Sequence, residues 1–439
     1  MALLAPLGLG RGDVVAVAGA GGKTTLLRGL AQEAVASGLR VLLTGTTHTG
    51  PEGVGALVLE AEAPDLRAAV RDALDRDGAA TVLGRRVRED KLQGLDPERV
   101  AGLRDLADLV LVETDGARRR LLKAPAEHEP VVPACATSLV VVASLDALGR
   151  PLDAVAVHRL ERVLEASGRP EGSAIDAFVV ASALASGYPA RRPPGARLLA
   201  FLNAAEGEPA RAAAVAAAGR LVPPYDAVTA GSARQSEARR VPVVHGLVLA
   251  AGASTRMGRP KLPLPLGGEP LVACAVKPLL DAGLSRVVVV LGADADAVRS
   301  ALPRLPEIVA VENASWRAGM ASSLRAGLAA CAGADAALVV LGDQPSVTAA
   351  VVARVLAAAP GRPLVVAEHG GRVVHPILLG RELFRELDAL EGDVGAREVV
   401  RRHLDRAARV AGEAPRDLDT EDDYRAALEG RPPRAGEGL

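Results

Sequence analysis

Only seven of the chain's 439 residues are aromatic, too few for the successive stacking platforms on which single-stranded nucleic acids lie. Its three cysteines, Cys135, Cys274 and Cys331, are odd in number and far apart. That excludes a disulfide framework or a zinc cluster and fits a reducing compartment. No apolar run reaches the ~20 residues that span a bilayer; Pro133 and Ser138 interrupt the best candidate. An excess of either charge is missing as well, since 52 basic residues face 53 acidic ones. No general basic surface is therefore available for a polyphosphate backbone. The first ten residues lack the basic start of a signal peptide. The expectation is a cytoplasmic protein whose partners are small molecules, not nucleic acid or membrane.

Lysine is the last scarcity. Lys23, Lys91, Lys123, Lys261 and Lys277 stand against 47 arginines. Lysine is a compact point charge and arginine a planar fork, so each retained lysine raises the question of a site that accepts only the former.

What the chain does have is core material, 49% hydrophobic residues. Short apolar runs alternate with Ala- and Leu-rich stretches. Strands are expected at 14–18, 41–43, 109–112, 139–142, 198–202, 246–249, 287–291, 337–341 and 364–367, and helices at 23–37, 271–282 and 320–332. Such alternation predicts an α/β protein with mainly parallel sheets. Two glycine-rich turns each follow a strand, and one sheet rarely hosts two such starts. A polar, Arg-rich stretch at 231–242 precedes the second, which places a domain boundary near residue 240 and gives domains 1–240 and 241–439.

The first turn is Gly19-Ala20-Gly21-Gly22-Lys23-Thr24-Thr25, ahead of a helix. Its amides and the helix N-terminus form a cradle for phosphate oxygens. Lys23 would reach the outer phosphates and Thr24 would hold magnesium. Strand 109–112 ends in Glu113-Thr114-Asp115, the position from which carboxylates hold that magnesium through water. The second turn, Leu249-Ala250-Ala251-Gly252, runs on to Arg256 and Lys261. Small residues let the backbone approach a nucleotide, and the two cations supply charge where a displacement at phosphorus needs it. Asp343 follows strand 337–341 and Asp419 precedes a C-terminal helix; two such carboxylates are natural magnesium ligands.

Two resemblances rest on these motifs. GAGGKTT, TGTTHTG (Thr44–Gly50), VETDGARRRLLKAPAEHEP (Val112–Pro130) and FLNAAE (Phe201–Glu206) make residues 10–235 similar to the selenium-dependent hydroxylase accessory proteins. These look like P-loop proteins encoded with selenium- and molybdenum-dependent hydroxylases. The resemblance implies a P-loop NTPase-like domain binding ATP or GTP, and an apo molybdenum hydroxylase as partner. Asn203-Ala204-Ala205-Glu206 stands where a guanine-reading Asn-Lys-x-Asp element would, with the lysine and aspartate replaced.

LAAGASTRMGRPKL, ENASWRAGMASSL, GDQP, His375-Pro376, GDVGAR and DLDTEDDY follow in order across 243–429, and this half resembles the molybdenum cofactor cytidylyltransferases. That implies a Rossmann-like nucleotidyltransferase fold joining CMP from CTP to Mo-molybdopterin with release of pyrophosphate. By position, Leu249, Ala250, Ala251 and Gly252 would contact the nucleotide, Arg256 and Lys261 its phosphates, and Asp343 and Asp419 magnesium. Asn313, Trp316, Gly319, Met320, Ser322 and Ser323 would line the pterin side, with His375, Asp393 and Arg397 nearby. Ala251, where guanylyltransferases carry glycine, favours CTP. Val374 stands where the family often has glycine. Two other readings stay open: transfer to a different phosphate acceptor, and a cofactor-carrying maturation chaperone with a P-loop switch.

Overall fold

The computed structural model describes residues 2–50, 53–390, 392, 396–414 and 417–429. They divide into two compact units: residues up to Glu206 with Arg220–Val241, and Gly207–Gly219 with those from Pro242 onward. Among the described residues no helix is long and apolar enough to cross a membrane.

The first unit is built on a nine-stranded sheet. In chain order its strands are β1 (Val14–Gly19), β2 (Val41–Gly45), β3 (Ala56–Leu59), β4 (Ala79–Leu83), β5 (Leu109–Glu113), β6 (Ser138–Ser144), β7 (Arg197–Asn203), β8 (Ala227–Ser232) and β9 (Glu237–Val241). They lie side by side as β9-β8-β7-β6-β1-β5-β2-β4-β3. All pairings are parallel except β8 with β9. β1, β2 and β6 are buried along their whole length, which is why they read as unbroken apolar runs. Helix α1 (Lys23–Ala36) leaves β1 and packs Leu26, Leu27 and Leu30 against Val15, Val17, Leu43 and Leu111. From β1 the chain first builds outward through β2, then returns to add β6 and β7 on the other side. In open α/β sheets the crevice at such a reversal, past the strands' carboxyl ends, is where ligands bind.

The second unit repeats the plan with seven strands: β10 (Val244–Ala250), β11 (Val287–Leu291), β12 (Ile308–Glu312), β13 (Ala336–Leu341), β14 (Leu364–His369), β15 (Arg372–Gly380) and β16 (Ala408–Ala411). Their order is β12-β11-β10-β13-β15-β14-β16. Here the reversal falls between β10 and β13, so Ala250 and Leu341 end at one crevice. Helices α2 (Leu271–Asp281) and α3 (Met320–Ala330) lie in the stretches expected to be helical. α3 covers Leu247, Val288, Val290 and Val339 with Ala321, Leu324 and Leu328.

The expected α/β class with mainly parallel sheets is present, and every expected strand lies within a strand of the structure. One stretch differs from its polar appearance. Glu237–Val241 is an antiparallel edge strand paired with β8, and most of it is exposed or half-exposed. An edge strand wet on its faces has no reason to carry an apolar run.

His245, at the start of β10, has a buried Nδ1 with no hydrogen-bond partner. Burial, then the charges of Arg286 and Arg381, lower its pKa to about 4. In the unfolded chain it titrates near ~6.5, so the unfolded state binds more protons between those values. Stability is therefore intact above about pH 6.5 and is lost progressively as pH falls toward 4. Thermal melts of His245→Phe are expected to show a smaller drop over this window than the wild type; an unchanged drop would remove His245 as a source.

Candidate functional site

In the second unit the turn after β10 is shaped by backbone contact. Ala293 N–H donates to the Ala251 carbonyl at 3.2 Å. A Cβ on Gly292 would lie 2.4 Å from that oxygen, so only glycine lets the end of β11 approach. Ala251 is buried and Gly252 exposed, leaving open backbone at the crevice mouth.

Lys261 is the centre of the site. It is 9% exposed, and its Nζ donates to Asp343 Oδ2 at 2.7 Å and Asp419 Oδ1 at 2.8 Å. Burial works against its charge, but the two carboxylates overrule it and raise the pKa. Ser254 Oγ accepts from the Lys261 N–H at 3.2 Å. Arg256, largely exposed, donates to the other Asp419 oxygen at 2.7 Å. Burial would raise the pKa of Asp419, yet Lys261 and Arg256 lower it. Arg256, Lys261, Asp343 and Asp419, far apart in sequence, thus form one cluster beside the Ala250–Gly252 turn. Two converging carboxylates are hard-oxygen donors of the kind magnesium takes; both Asp419 oxygens are engaged by Lys261 and Arg256, so the residues fit that ion once these two cations turn to phosphate.

Around this cluster stand groups that the sequence reasoning passed over. Gln344 is buried and donates from Nε2 to Asp417 Oδ1 at 2.6 Å. Burial, with the charges of Asp343 and Asp419, raises the pKa of Asp417. Arg259 makes a two-oxygen ion pair with Glu421 and lies 5.7 Å from the Tyr424 ring centre. The DLDTEDDY string held this signal, but only as one acidic residue among several.

On the side expected to meet the pterin, Asn313 is buried and its Nδ2 donates to Ser322 Oγ at 2.9 Å and Ser323 Oγ at 3.0 Å. Its Oδ1 accepts from the Ser315 N–H at 3.0 Å. These groups shape the Asn313–Gly319 turn from within. Trp316, half-buried, packs against the core of the unit with the Arg317 guanidinium 4.2 Å from its ring centre, while Met320 is 42% exposed. Gly319 takes φ 97° ahead of α3. His375 is held near a pKa of 4 by burial, against the opposing charge of Asp343, and is neutral near pH 7. Val374 packs with Val351 and Ala367 in a small apolar cluster. Arg397 opens the helix Arg397–Arg402, and Asp393 lies outside the described residues.

In the first unit, Gly21 takes φ 75° and a Cβ there would lie 2.5 Å from Ser144 Cβ. Gly22 takes φ 130° as the cap of α1. Asn203 fixes this loop: its Nδ2 donates to the Gly21 carbonyl at 2.8 Å and its Oδ1 accepts from Ala233 N–H at 2.9 Å. The side chain expected at the place of a base-reading element is thus a brace for the loop.

Lys23 is buried, with Nζ 2.9 Å from the Gly19 carbonyl and 2.6 Å from Asp115 Oδ1. Asp115 is wholly buried. It also accepts from the Gly19 N–H at 3.1 Å and from Lys123 Nζ at 2.7 Å. Lys123 continues to Glu129 at 2.8 Å, which pairs with Arg159 at 3.1 Å. Burial would raise the pKa of Glu129, but Lys123 and Arg159 pull it down to about 2.

Of the expected magnesium carboxylates, Asp115 therefore has both oxygens committed to protein donors. Glu113 has the opposite character: burial raises its pKa, Lys23 opposes, and Thr49 Oγ1 donates to it at 3.2 Å. Thr24 is half-buried and Thr25 exposed in the first turn of α1.

Residues 15–161 match the YqeC protein family, and residues 246–407 match the MobA-like NTP transferase domain. The YqeC protein of Escherichia coli (strain K12) is 35% identical over 36% of this chain and 62% of its own length. The chain thus spans under two thirds of that relative. The Nicotine blue oxidoreductase of Paenarthrobacter nicotinovorans is 39% identical over 37% of this chain and 83% of its own length. A solved structure, Rv0371c from Mycobacterium tuberculosis H37Rv, is 35% identical, covering 42% of this chain and 98% of that one with a TM-score of 0.39. Both motif resemblances are met by these matches. The chain belongs to the MobA-like NTP transferases, with a YqeC domain ahead of the transferase domain.

Proposed function

We propose that the second unit transfers CMP from CTP to Mo-molybdopterin and releases pyrophosphate. The observation that carries this reading is the buried Lys261 ammonium, shared by Asp343 and Asp419 beside the turn that ends in the exposed Gly252. In the reaction, a terminal phosphate oxygen of the pterin forms a bond to the α-phosphorus of CTP. The bond from that phosphorus to the bridging oxygen breaks, and pyrophosphate leaves with the electron pair. Little covalent work falls to the protein, so placed charge and alignment dominate. Lys261 and Arg256 offset the growing negative charge. Asp343 and Asp419 would hold magnesium, which neutralises triphosphate charge when bound. Trp316 and Met320 offer an apolar, polarisable surface for a flat heterocycle.

For the first unit we propose a phosphate loop that binds ATP or GTP with magnesium at Thr24 and Glu113. Gly19, Gly21, Gly22 and Thr25 would form the cradle, and Lys23 would exchange Asp115 for the phosphates. The second lysine on Asp115 favours a switch. Lys123 holds Asp115 at 2.7 Å alongside Lys23, so the carboxylate would keep a partner when Lys23 leaves. Such a switch would suit timed delivery of finished cofactor to an apo molybdenum hydroxylase.

The deciding experiment measures pyrophosphate release by the full chain with a molybdopterin acceptor, comparing CTP, GTP and ATP. Release with CTP above the others is expected. Release only with sugar or alcohol phosphates would move the acceptor elsewhere. A stable complex with apo-hydroxylase and no release would favour a carrier role.

A further inference from the structure

We propose that Gln344 and Asp417 form a clasp that registers Asp343 and Asp419 for the divalent cation; the inference rests on the metal role assigned to those two carboxylates. Asp343 sits on the turn after β13, while Asp419 lies on the segment that enters the C-terminal helix Glu421–Leu428. No covalent connection sets the spacing between them, and a small cation demands near-ideal geometry. Among the described residues, three sets of hydrogen bonds join the two segments. Lys261 bridges both carboxylates. The Leu418 N–H reaches the Asp343 carbonyl, but at 3.4 Å. The Gln344–Asp417 bond is short, at 2.6 Å, and its donor side chain is 5% exposed.

Only the third tie suits a permanent register. Lys261 has to serve triphosphate oxygens as well, and a long backbone contact fixes little. Gln344 adjoins Asp343, and Asp417 stands two residues before Asp419, so the bond couples the backbones that carry both ligands. The local support is rigid: Leu418 is 1% exposed, and Thr420 and Asp423 close a capping box on the helix. The donor type matters too. An amide satisfies Asp417 without adding charge, whereas a carboxylate there would repel it and a lysine would compete with the cation. Asp417 in turn is needed only as an acceptor, which asparagine can replace.

The test titrates Mn2+ into the full chain by calorimetry, with and without CTP, for wild type, Gln344→Met, Asp417→Ala and Asp417→Asn. Partners that orient metal ligands typically govern affinity by about 10–100-fold. Gln344→Met and Asp417→Ala are expected to weaken Mn2+ by that factor with melting temperatures near wild type. Asp417→Asn is expected to restore affinity to within about twofold. If Asp417→Asn loses as much as Asp417→Ala, Asp417 is itself a ligand and the clasp is wrong. Unchanged affinity in Gln344→Met overturns it as well. A wild type that binds no Mn2+ removes the metal assignment and the clasp together, while pyrophosphate release judges the transferase reading separately.

Discussion

Lys261→Ala is expected to lower nucleotidyl transfer by about a thousandfold or more, with the fold intact. Removing one preorganised donor aimed at developing charge costs roughly 10²–10³ in rate. Here the loss is larger, because the ammonium also holds two carboxylates. Without it, Asp343 and Asp419 face each other across a gap that had one nitrogen within 2.8 Å of both. Their mutual repulsion spreads the site even before substrate enters. Lys261→Arg is expected to rescue poorly, since a planar fork does not fit a slot that leaves the lysine 9% exposed. The measurement is steady-state pyrophosphate release, with far-UV circular dichroism as the control for folding. A near-normal rate for Lys261→Ala would refute the assignment.

Asp115→Ala is expected to be the most destabilising single change in the first unit. The carboxylate is wholly buried and pairs with both Lys23 and Lys123. Breaking a buried pair from one side typically costs about 3–5 kcal/mol, because the remaining charge is left unpaired. In this case two ammonium groups lose their shared partner. Lys23→Met should cost much less, since Asp115 keeps Lys123 and the Gly19 N–H. Hydrogen exchange read by mass spectrometry separates the units: peptides from β1 should lose protection in Asp115→Ala while those from β11 keep theirs. Equal effects of the two substitutions would show that Lys123 does not sustain Asp115.

The sequence was most informative where one physical requirement dominated. β11, five apolar residues with no exposure, could be little else than a strand buried on both faces. The glycine turns were legible for a similar reason, since each marks a backbone that must pass close to another. Edge strands were harder: β9 carries Glu237, Arg239 and Arg240 because both its faces meet water. The site divides the same way. Lys261, Asp343 and Asp419 stood out as charges at strand ends or in a dense motif. Gln344 and Asp417 did not, because their importance lies in a bond between segments 73 residues apart. Asn313 and Asn203 show the converse. The resemblances placed them in ligand-contacting motifs, and the structure adds a second role, since their side chains hydrogen-bond within the turns they shape.

The distribution of lysines has a practical consequence for anyone handling the protein. Lys23, Lys123 and Lys261 are buried and engaged with carboxylates, while Lys277 is exposed and Lys91 partly so. Amine-directed chemistry such as acylating dyes, crosslinkers or resin coupling will therefore report on two side chains and spare the three that are buried in ion pairs. Acylation that spreads to Lys23 or Lys261 becomes a clock for local opening of those ion pairs, readable without any substrate.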